Sequence, residues 1–126
     1  MLKILVVEDD RFLMSAYRVK LTKVGFEILT ASDGNEAMAI LQKNVPDIIL
    51  LDLIMPIKDG FAVLKEVRED ENLQNVPVIV ASNLGQKEDL DRATQLGADD
   101  YIIKSDLSLD DLVTKIKQLA KKTSKK

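Results

Sequence analysis

Residues 47–56 read Asp-Ile-Ile-Leu-Leu-Asp-Leu-Ile-Met-Pro, an apolar run that stops abruptly at Asp52. A second apolar run, residues 4–7, stops in the same way at Glu8 and Asp9. Short aliphatic runs without polar alternation are typical of strands that are buried on both faces, as in a parallel sheet. Two such strands that both end in carboxylates predict an acidic pocket at one edge of a sheet.

The same pattern continues along the chain. Strands are predicted at Ile4–Val7, Phe26–Ala31, Asp47–Leu51, Val78–Ala81 and Tyr101–Ile103. Segments with helical spacing lie between and after them, at about Arg11–Val24, Gly34–Lys43, Phe61–Glu69, Gln86–Leu96 and Leu109–Lys122. Five strand–helix units predict an α/β doubly wound fold with a five-stranded parallel sheet. The right-handed crossover rule places helices on both faces of that sheet.

The predicted helices also have recognisable ends. Asp10 is interpreted as the cap of the first helix. Asp33 with Glu36, and Ser108 with Asp111, have the spacing of capping boxes.

The first helix is predicted to place Phe12, Ala16, Val19 and Val24 on its buried side and to stop at Gly25.

Composition sets the class of protein. A chain of 126 residues fits one domain, assigned to residues 1–120, with a basic tail at residues 121–126. The net charge of −3 gives no reason to expect direct nucleic-acid binding. The absence of cysteine and histidine excludes thiolate and imidazole metal sites and a phosphohistidine on this chain. No stretch reaches the ~18 apolar residues of a membrane helix, and we expect a cytoplasmic protein without a signal peptide.

Ligands of open α/β sheets bind beyond the carboxyl ends of the strands. Glu8, Asp9, Asp52, Ser82 and Lys104 all stand at such ends. Three crowded carboxylates repel one another unless a cation joins them, and Mg²⁺ prefers oxygen ligands. A carboxylate nucleophile, a metal, an ammonium group and a hydroxyl together can form and hold an acyl phosphate. Each residue alone has an ordinary structural role as a cap or loop residue; their joint placement favours the functional interpretation.

Other phosphate-handling families fit less well. A phosphatase of the haloacid dehalogenase type needs Asp-x-Asp after the first strand, where residues 8–10 are Glu-Asp-Asp. A Toprim site needs Asp-x-Asp after the third strand, where residues 52–54 are Asp-Leu-Ile. A flavodoxin needs a Ser/Thr/Gly-rich loop after the first strand, and the chain has none there.

The chain resembles the response regulator receiver domain of two-component signalling from about Leu2 to Leu119. The resemblance is carried by residues 4–9 (ILVVED), residues 52–56 (DLIMP) with Gly60, the Ser82 position and residues 101–104 (YIIK). It implies the flavodoxin-like strand order 2-1-3-4-5.

The resemblance also implies a ligand set. Asp52 would be the phosphoacceptor. Asp9 and Asp52 would bind Mg²⁺ together with the backbone carbonyl of Ile54, and Glu8 would help through water.

The remaining implied roles concern the switch. Lys104 would contact the phosphoryl group, Ser82 would swing toward it, and Tyr101 would move inward behind it. The output surface would be the fifth strand with the fourth and fifth helices, where a downstream protein would bind.

By the same resemblance the chain is a signalling switch, a phosphoprotein that catalyses only its own phosphorylation and slow dephosphorylation. The donor would be a histidine kinase, a histidine phosphotransfer protein or acetyl phosphate, and the domain would be a monomer or weak dimer. The alternative is an unphosphorylated, receiver-shaped interaction module. The intact carboxylates and Lys104 argue against that alternative.

One departure from the family pattern concerns Ser105, which follows Lys104 where the family usually has proline after a cis bond. A cis bond before serine costs about 2.5–4 kcal/mol. We expect a cis Lys104–Ser105 bond nevertheless, because Lys104 must still point at the phosphate.

Three further departures surround the predicted phosphate position. Asn83 stands where a small residue is usual after Ser82. Ile54 and Leu84, two residues past Asp52 and Ser82, are apolar and cannot orient an attacking water, which predicts slow self-dephosphorylation.

Overall fold

The computed structural model of the chain describes residues 1–106 and 108–123. The strands are β1 (Lys3–Val7), β2 (Glu27–Ala31), β3 (Ile48–Leu51), β4 (Val78–Ser82) and β5 (Asp100–Ile103). The α-helices are α1 (Arg11–Val24), α2 (Gly34–Leu41), α3 (Gly60–Glu69), α4 (Lys87–Gln95) and α5 (Leu109–Thr123), and a short 3-10 helix spans Lys104–Asp106.

The five strands form one parallel sheet with the order β2-β1-β3-β4-β5, as the resemblance implies. Val7 at the end of β1 lies opposite both Ala31 of β2 and Leu51 of β3. Ser82 at the end of β4 lies opposite Ile103 of β5. The carboxyl ends of the strands therefore meet at one edge, called here the carboxyl edge, and their starts form the amino edge.

Alternate strand residues supply two separate cores. Leu5, Ile49 and Val80 face the layer of α2, α3 and α4. Ile4 and Ile79 face the layer of α1 and α5. All five side chains are fully buried, which confirms the prediction that the apolar runs are covered on both faces.

The predicted helix caps form. Asp10 accepts hydrogen bonds from the backbone N–H groups of Phe12 and Leu13 at the start of α1. Asp33 accepts the Glu36 N–H at 2.8 Å at the start of α2.

The serine half of the second predicted capping box is present, because Ser108 Oγ accepts the Asp111 N–H at 3.1 Å.

The predicted buried side of α1 is wrong for Phe12 and Val19, although Val24 packs against the core as expected. Phe12 and Val19 are 91% and 68% exposed, while Tyr17 and Leu21 are buried. Helix α1 carries two apolar stripes with helical spacing, and the stripe through Tyr17 and Leu21 is the one that faces the sheet. Gly25 ends the helix in the left-handed conformation, as expected.

No helix in the described parts of the chain is long and apolar enough to cross a membrane. Residues 121–123 of the predicted basic tail continue α5, and residues 124–126 lie outside the described residues.

Candidate functional site

The sheet itself brings the predicted acidic residues together. The Asp52 N–H donates to the Val7 carbonyl at 3.0 Å, and the Glu8 N–H donates to the Ala31 carbonyl at 3.0 Å. These bonds extend the strand pairing by one residue beyond β1 and β3. Glu8, Asp9 and Asp52 are thereby fixed at the carboxyl edge.

The three acids form a cluster with the donor set of a hard cation. One carboxylate oxygen from each of Glu8, Asp9 and Asp52 lies within 4.8 Å of the others. Glu8 and Asp52 are buried, and Asp9 is exposed. Oxygen ligands, excess negative charge and one side open to water fit Mg²⁺, which keeps several waters. Asp10 serves as the helix cap and is not part of this cluster.

The ammonium group of Lys104 forms ion pairs with two of these acids. Its Nζ lies 2.6 Å from Glu8 Oε1 and 3.1 Å from Asp52 Oδ2. Burial acts to lower the pKa of Lys104, but the hydrogen bond to Glu8 and the charge of Asp52 outweigh burial and raise it. Burial raises the pKa of Glu8, against the lowering effect of the hydrogen bond from Lys104. Glu8 and Asp52 share one ammonium group and Asp9 adds a third carboxylate, so negative charge remains in excess.

The predicted switch residues meet at the backbone of one residue, Leu84. Ser82 is buried at the end of β4, and its Oγ accepts the Leu84 N–H at 3.2 Å. The Tyr101 hydroxyl donates to the Leu84 carbonyl at 2.7 Å. Burial raises the pKa of Tyr101, so its hydroxyl stays a donor. Sequence analysis missed this role of Leu84 because a backbone carbonyl leaves no signal in the residue type.

A cavity of about 240 Å³ opens beside Asp52. Its lining joins the predicted phosphoacceptor to the residues that are predicted to contact or flank the phosphoryl group: Asp52, Ile54, Ser82, Asn83, Leu84 and Lys104. All the residues predicted to contact or flank the phosphoryl group, except Tyr101, therefore line this one cavity.

Arg11 is a candidate that sequence analysis did not single out. It lines a neighbouring cavity of about 290 Å³ together with Glu8 and Asp9.

The loop from β3 to α3 is tightly constrained next to Asp52. A Cβ atom on Gly60 would stand 2.1 Å from the Asp52 carbonyl oxygen, so only glycine fits there. Ile57 has a φ of 71°, which β-branched residues rarely adopt. The Ile54 N–H lies 3.4 Å from Asp52 Oδ1. The strain at Ile57 was not predicted, because a β-branched residue is an unusual choice for a left-handed position.

The expectation of a cis Lys104–Ser105 bond is wrong. No peptide bond within residues 1–106 or 108–123 is cis. Lys104 nevertheless reaches Glu8 and Asp52, because the trans chain turns directly into the 3-10 helix Lys104–Asp106. The cost of a non-proline cis bond is thus avoided without loss of the lysine's placement.

A doubly wound sheet with an acidic cluster, a lysine and a buried hydroxyl at its carboxyl edge defines the class of receiver-like signalling domains. Residues 4–117 match the family model described as the response regulator receiver domain. The chain belongs to this family, and it is a receiver domain of two-component systems.

Known proteins agree with this assignment. The "Probable transcriptional regulator ycf27" of Guillardia theta is 35% identical over 98% of this chain and 47% of its own length. The chain spans about half the length of the curated relatives that it matches.

Solved structures are similar over most of their length. The Francisella response regulator 1452 receiver domain has a TM-score of 0.90 and 34% identity over 98% of this chain and 99% of its own. The phosphorylated cyanobacterial phytochrome response regulator RcpA has a TM-score of 0.81 and 35% identity over 94% and 90%. The Mn²⁺-bound form of response regulator Rcp1 has a TM-score of 0.79 and 31% identity over 87% and 86%.

Proposed function

We propose that Asp52 accepts a phosphoryl group from a phosphohistidine of a histidine kinase or phosphotransfer protein, in a reaction that depends on Mg²⁺. The observation that carries the proposal is the convergence of three carboxylates within 4.8 Å with Lys104 Nζ 3.1 Å from Asp52. The phosphorylated RcpA and Mn²⁺-bound Rcp1 structures support it by similarity. We extend the proposal to the whole regulator, in which this receiver would be the phosphorylated input module of a protein located in the cytoplasm.

The transfer exchanges one bond to phosphorus for another. An oxygen of Asp52 attacks phosphorus as the phosphorus–nitrogen bond of the donor breaks, and the imidazole leaves with the electron pair and takes up a proton. The product is a mixed anhydride on Asp52. Its formation depends mainly on positioning and charge neutralisation.

The chain's own residues supply most of that positioning. Asp9, Asp52 and the Ile54 carbonyl would hold Mg²⁺, with Glu8 beside them through water. When bound, Mg²⁺ neutralises charge on the phosphoryl oxygens and on the acids. Lys104 would share its ammonium group between Asp52 and a phosphoryl oxygen.

The buried position of Glu8 keeps Lys104 directed at the site, since their heavy atoms are only 2.6 Å apart.

The Leu84 backbone would couple the phosphorylation site to the rest of the domain. A phosphoryl oxygen would accept the Ser82 hydroxyl proton, and rotation of Ser82 toward it would move Oγ away from the Leu84 N–H that Oγ accepts in this structure. Movement of Ser82 loosens the Leu84 backbone, which also holds the Tyr101 hydroxyl. We therefore propose a shift between two populations that changes β5, α4 and α5, the proposed binding face for a downstream protein.

The first experiment measures phosphate incorporation. The purified chain is incubated with acetyl phosphate and Mg²⁺, and intact mass is recorded. We expect one phosphoryl group on the wild type, none on Asp52→Asn, and none when EDTA replaces Mg²⁺. Asp33→Asn is the matched control, because asparagine also caps a helix and Asp33 lies outside the cluster. Incorporation into Asp52→Asn equal to wild type would show that the site is misassigned, and no incorporation anywhere would favour the interaction-module alternative.

The second experiment measures the lifetime of the acyl phosphate. Ile54 and Leu84 line the cavity beside Asp52 and offer no hydrogen bond to an attacking water through their side chains. Poor positioning of a reactant can cost on the order of 10²-fold in rate. We expect Ile54→Asn to speed phosphate loss and Leu84→Gln to speed it further. A wild-type decay as fast as that of the double variant would remove these positions from the proposal.

The third experiment locates the output surface. Amide chemical shifts are compared before and after phosphorylation. We expect the changes to concentrate between Asn83 and Lys117, with Tyr101 among the largest. Changes confined to α2 would overturn the proposed route.

A further inference from the structure

A third cavity, of about 300 Å³, lies on the opposite layer of the molecule from α3, between α1 and α5. Its walls are mainly aliphatic, and they include Leu13, Tyr17, Ile102, Lys104, Leu109 and Leu112. Leu13 and Leu109 are half-buried, which places them toward the mouth of the cavity. A concave apolar space of this size is within the range of small-molecule sites.

Tyr17 supplies a polar group in this apolar space. The residue is only 5% exposed, and its hydroxyl makes no hydrogen bond with another residue in the described parts of the chain. No fully buried polar side-chain atom of the described residues lacks a partner, so the Tyr17 hydroxyl oxygen is not fully buried, and Tyr17 lines the cavity. Burial raises the pKa of Tyr17 to about 12, which keeps the hydroxyl a neutral donor.

The charges near the cavity limit what it can hold. Lys104 lines the cavity, and its ammonium group is engaged by Glu8 and Asp52. The neighbouring acidic cluster keeps excess negative charge, which disfavours an anion. The walls are mainly aliphatic, with Ser108 as a further polar residue, and they do not compensate a desolvated charge of either sign. A neutral occupant remains.

We propose that the cavity between α1 and α5 binds a small neutral molecule with an apolar body and one acceptor oxygen, which accepts a hydrogen bond from the Tyr17 hydroxyl. The apolar body lies against Leu13, Ile102 and Leu112. The acceptor oxygen gives the Tyr17 hydroxyl a hydrogen-bond partner that no other described residue provides.

The cavity between α1 and α5 also shares a lining residue with the proposed phosphorylation site. Lys104 lines both this cavity and the cavity beside Asp52. A ligand packed against the stem of Lys104 therefore favours some positions of its ammonium group over others. Coupling of this kind is reciprocal, so phosphorylation changes the affinity of the ligand as well. This second statement rests on the proposed function.

The test uses two probes of nearly the same shape. Acetophenone carries a carbonyl oxygen, and α-methylstyrene carries a methylene group in its place. Each is titrated into the unphosphorylated wild-type chain while amide chemical shifts are recorded. We expect saturable shifts around Leu13, Ile102 and Leu112, with tighter binding of acetophenone. Absence of saturable shifts with both probes overturns the proposal.

Tyr17→Phe distinguishes hydrogen bonding by the Tyr17 hydroxyl from apolar packing in the cavity. The variant should bind acetophenone about two- to tenfold more weakly, the range expected for loss of one neutral hydrogen bond, and bind α-methylstyrene as before. Equal affinity of wild type and variant for acetophenone would overturn the assigned role of Tyr17. Leu109→Trp, at a half-buried position, should fill the cavity and abolish binding of both probes. If that variant fails to fold, the Tyr17→Phe comparison still decides.

The coupling is measured separately. The acetophenone titration is repeated after phosphorylation with acetyl phosphate and Mg²⁺, and intact mass reports the phosphate content of the same sample. We expect a several-fold change in the dissociation constant. An unchanged constant in a phosphorylated sample overturns the coupling. A sample without phosphate shows instead that the proposed function fails, while the binding measured on the unphosphorylated chain stands.

Discussion

Both edges of the sheet carry charged side chains, but among the described residues the amino edge gives them more and shorter hydrogen bonds to the backbone. There, Arg68 donates to the carbonyls of Gly97 and Val76 at 2.7–3.0 Å and pairs with Asp99 at 2.8 Å. The same Asp99 oxygen accepts the Val78 N–H at 2.8 Å. Arg68 thus joins the end of α3 to the starts of β4 and β5.

The carboxyl edge leaves its charges less satisfied. Asp9 accepts no hydrogen bond from the described residues, and the contact of Asp52 with the Ile54 N–H is long, at 3.4 Å. Lys104 is shared between Asp52 and Glu8. The difference indicates that the amino edge stabilises the fold, whereas the carboxyl edge keeps unsatisfied negative charge at the proposed cation and phosphoryl site. Perturbed and undersatisfied groups of this kind gather at functional sites.

Removal of the amino-edge arginine should have the largest effect on stability. Arg68→Met deletes a network of bonds to several backbone carbonyls, and we expect the free energy of unfolding to fall by about 2–4 kcal/mol. Urea unfolding followed by far-ultraviolet circular dichroism measures it. Lys87→Met is the control, since Lys87 pairs with Asp91 on the exposed surface of α4 and should contribute less than about 0.5 kcal/mol. Equal effects of the two substitutions would contradict the role assigned to the amino edge.

Tyr17, buried near Lys104, should make stability depend on pH. An unfolded tyrosine loses its proton near pH 10, whereas burial holds the proton on folded Tyr17 until about pH 12. Above pH 10 the unfolded state therefore binds fewer protons, and the free energy of unfolding falls as pH rises. Relative to Tyr17→Phe, we expect the wild type to lose about 2 kcal/mol by pH 12. A constant difference between the two proteins from pH 9 to pH 12 would contradict this.

Asp52→Asn should have only a small effect on the free energy of unfolding, whereas Asp99→Asn at the amino edge should lower it. In EDTA, loss of one negative charge from the cluster should leave the free energy of unfolding unchanged or raise it by up to about 1 kcal/mol. Asp99→Asn should lower it by about 1–2 kcal/mol, because Arg68 and Val78 lose a charged acceptor. Added Mg²⁺ should stabilise the wild type and Asp99→Asn but not Asp52→Asn. Equal stabilisation of all three by Mg²⁺ would exclude the acidic cluster as the binding site.

Replacing Ile57 with glycine should give a small increase in the free energy of unfolding. Ile57 is 77% exposed and has a positive φ, so Ile57→Gly should raise the free energy of unfolding by about 0.5–1 kcal/mol. Ile54→Gly in the same loop should lower it, because Ile54 has no positive φ to relieve. Thermal unfolding of both variants tests this. Destabilisation by Ile57→Gly would mean that the side chain has contacts that outweigh the strain.

The fold and the acids of the carboxyl edge were predictable because their signals are strong. Continuous apolar runs mark strands that are covered on both faces, and in a parallel sheet the residues directly after each strand must lie at a common edge. Glu8, Asp52 and Lys104 are far apart in sequence but adjacent in space for that reason alone.

Other features were not predictable from residue type. Helix α1 has two apolar stripes, so sequence spacing did not decide between Tyr17 and Phe12 as the buried residue. Arg68 and Leu84 act through backbone carbonyls, which every residue has. The cis expectation for Lys104–Ser105 transferred a proline property to a serine, and the chain places the lysine with a trans bond instead.

Chemical localisation of the phosphoryl group tests the central proposal most directly. The chain is phosphorylated with acetyl phosphate and Mg²⁺, and the acyl phosphate is reduced with borohydride, which converts a phosphorylated aspartate to homoserine. Peptide sequencing by mass spectrometry then identifies the modified position. We expect homoserine at position 52 and aspartate at positions 9 and 10. Homoserine at position 9, or at no aspartate of a phosphorylated sample, would contradict the assignment of Asp52 as the phosphoacceptor.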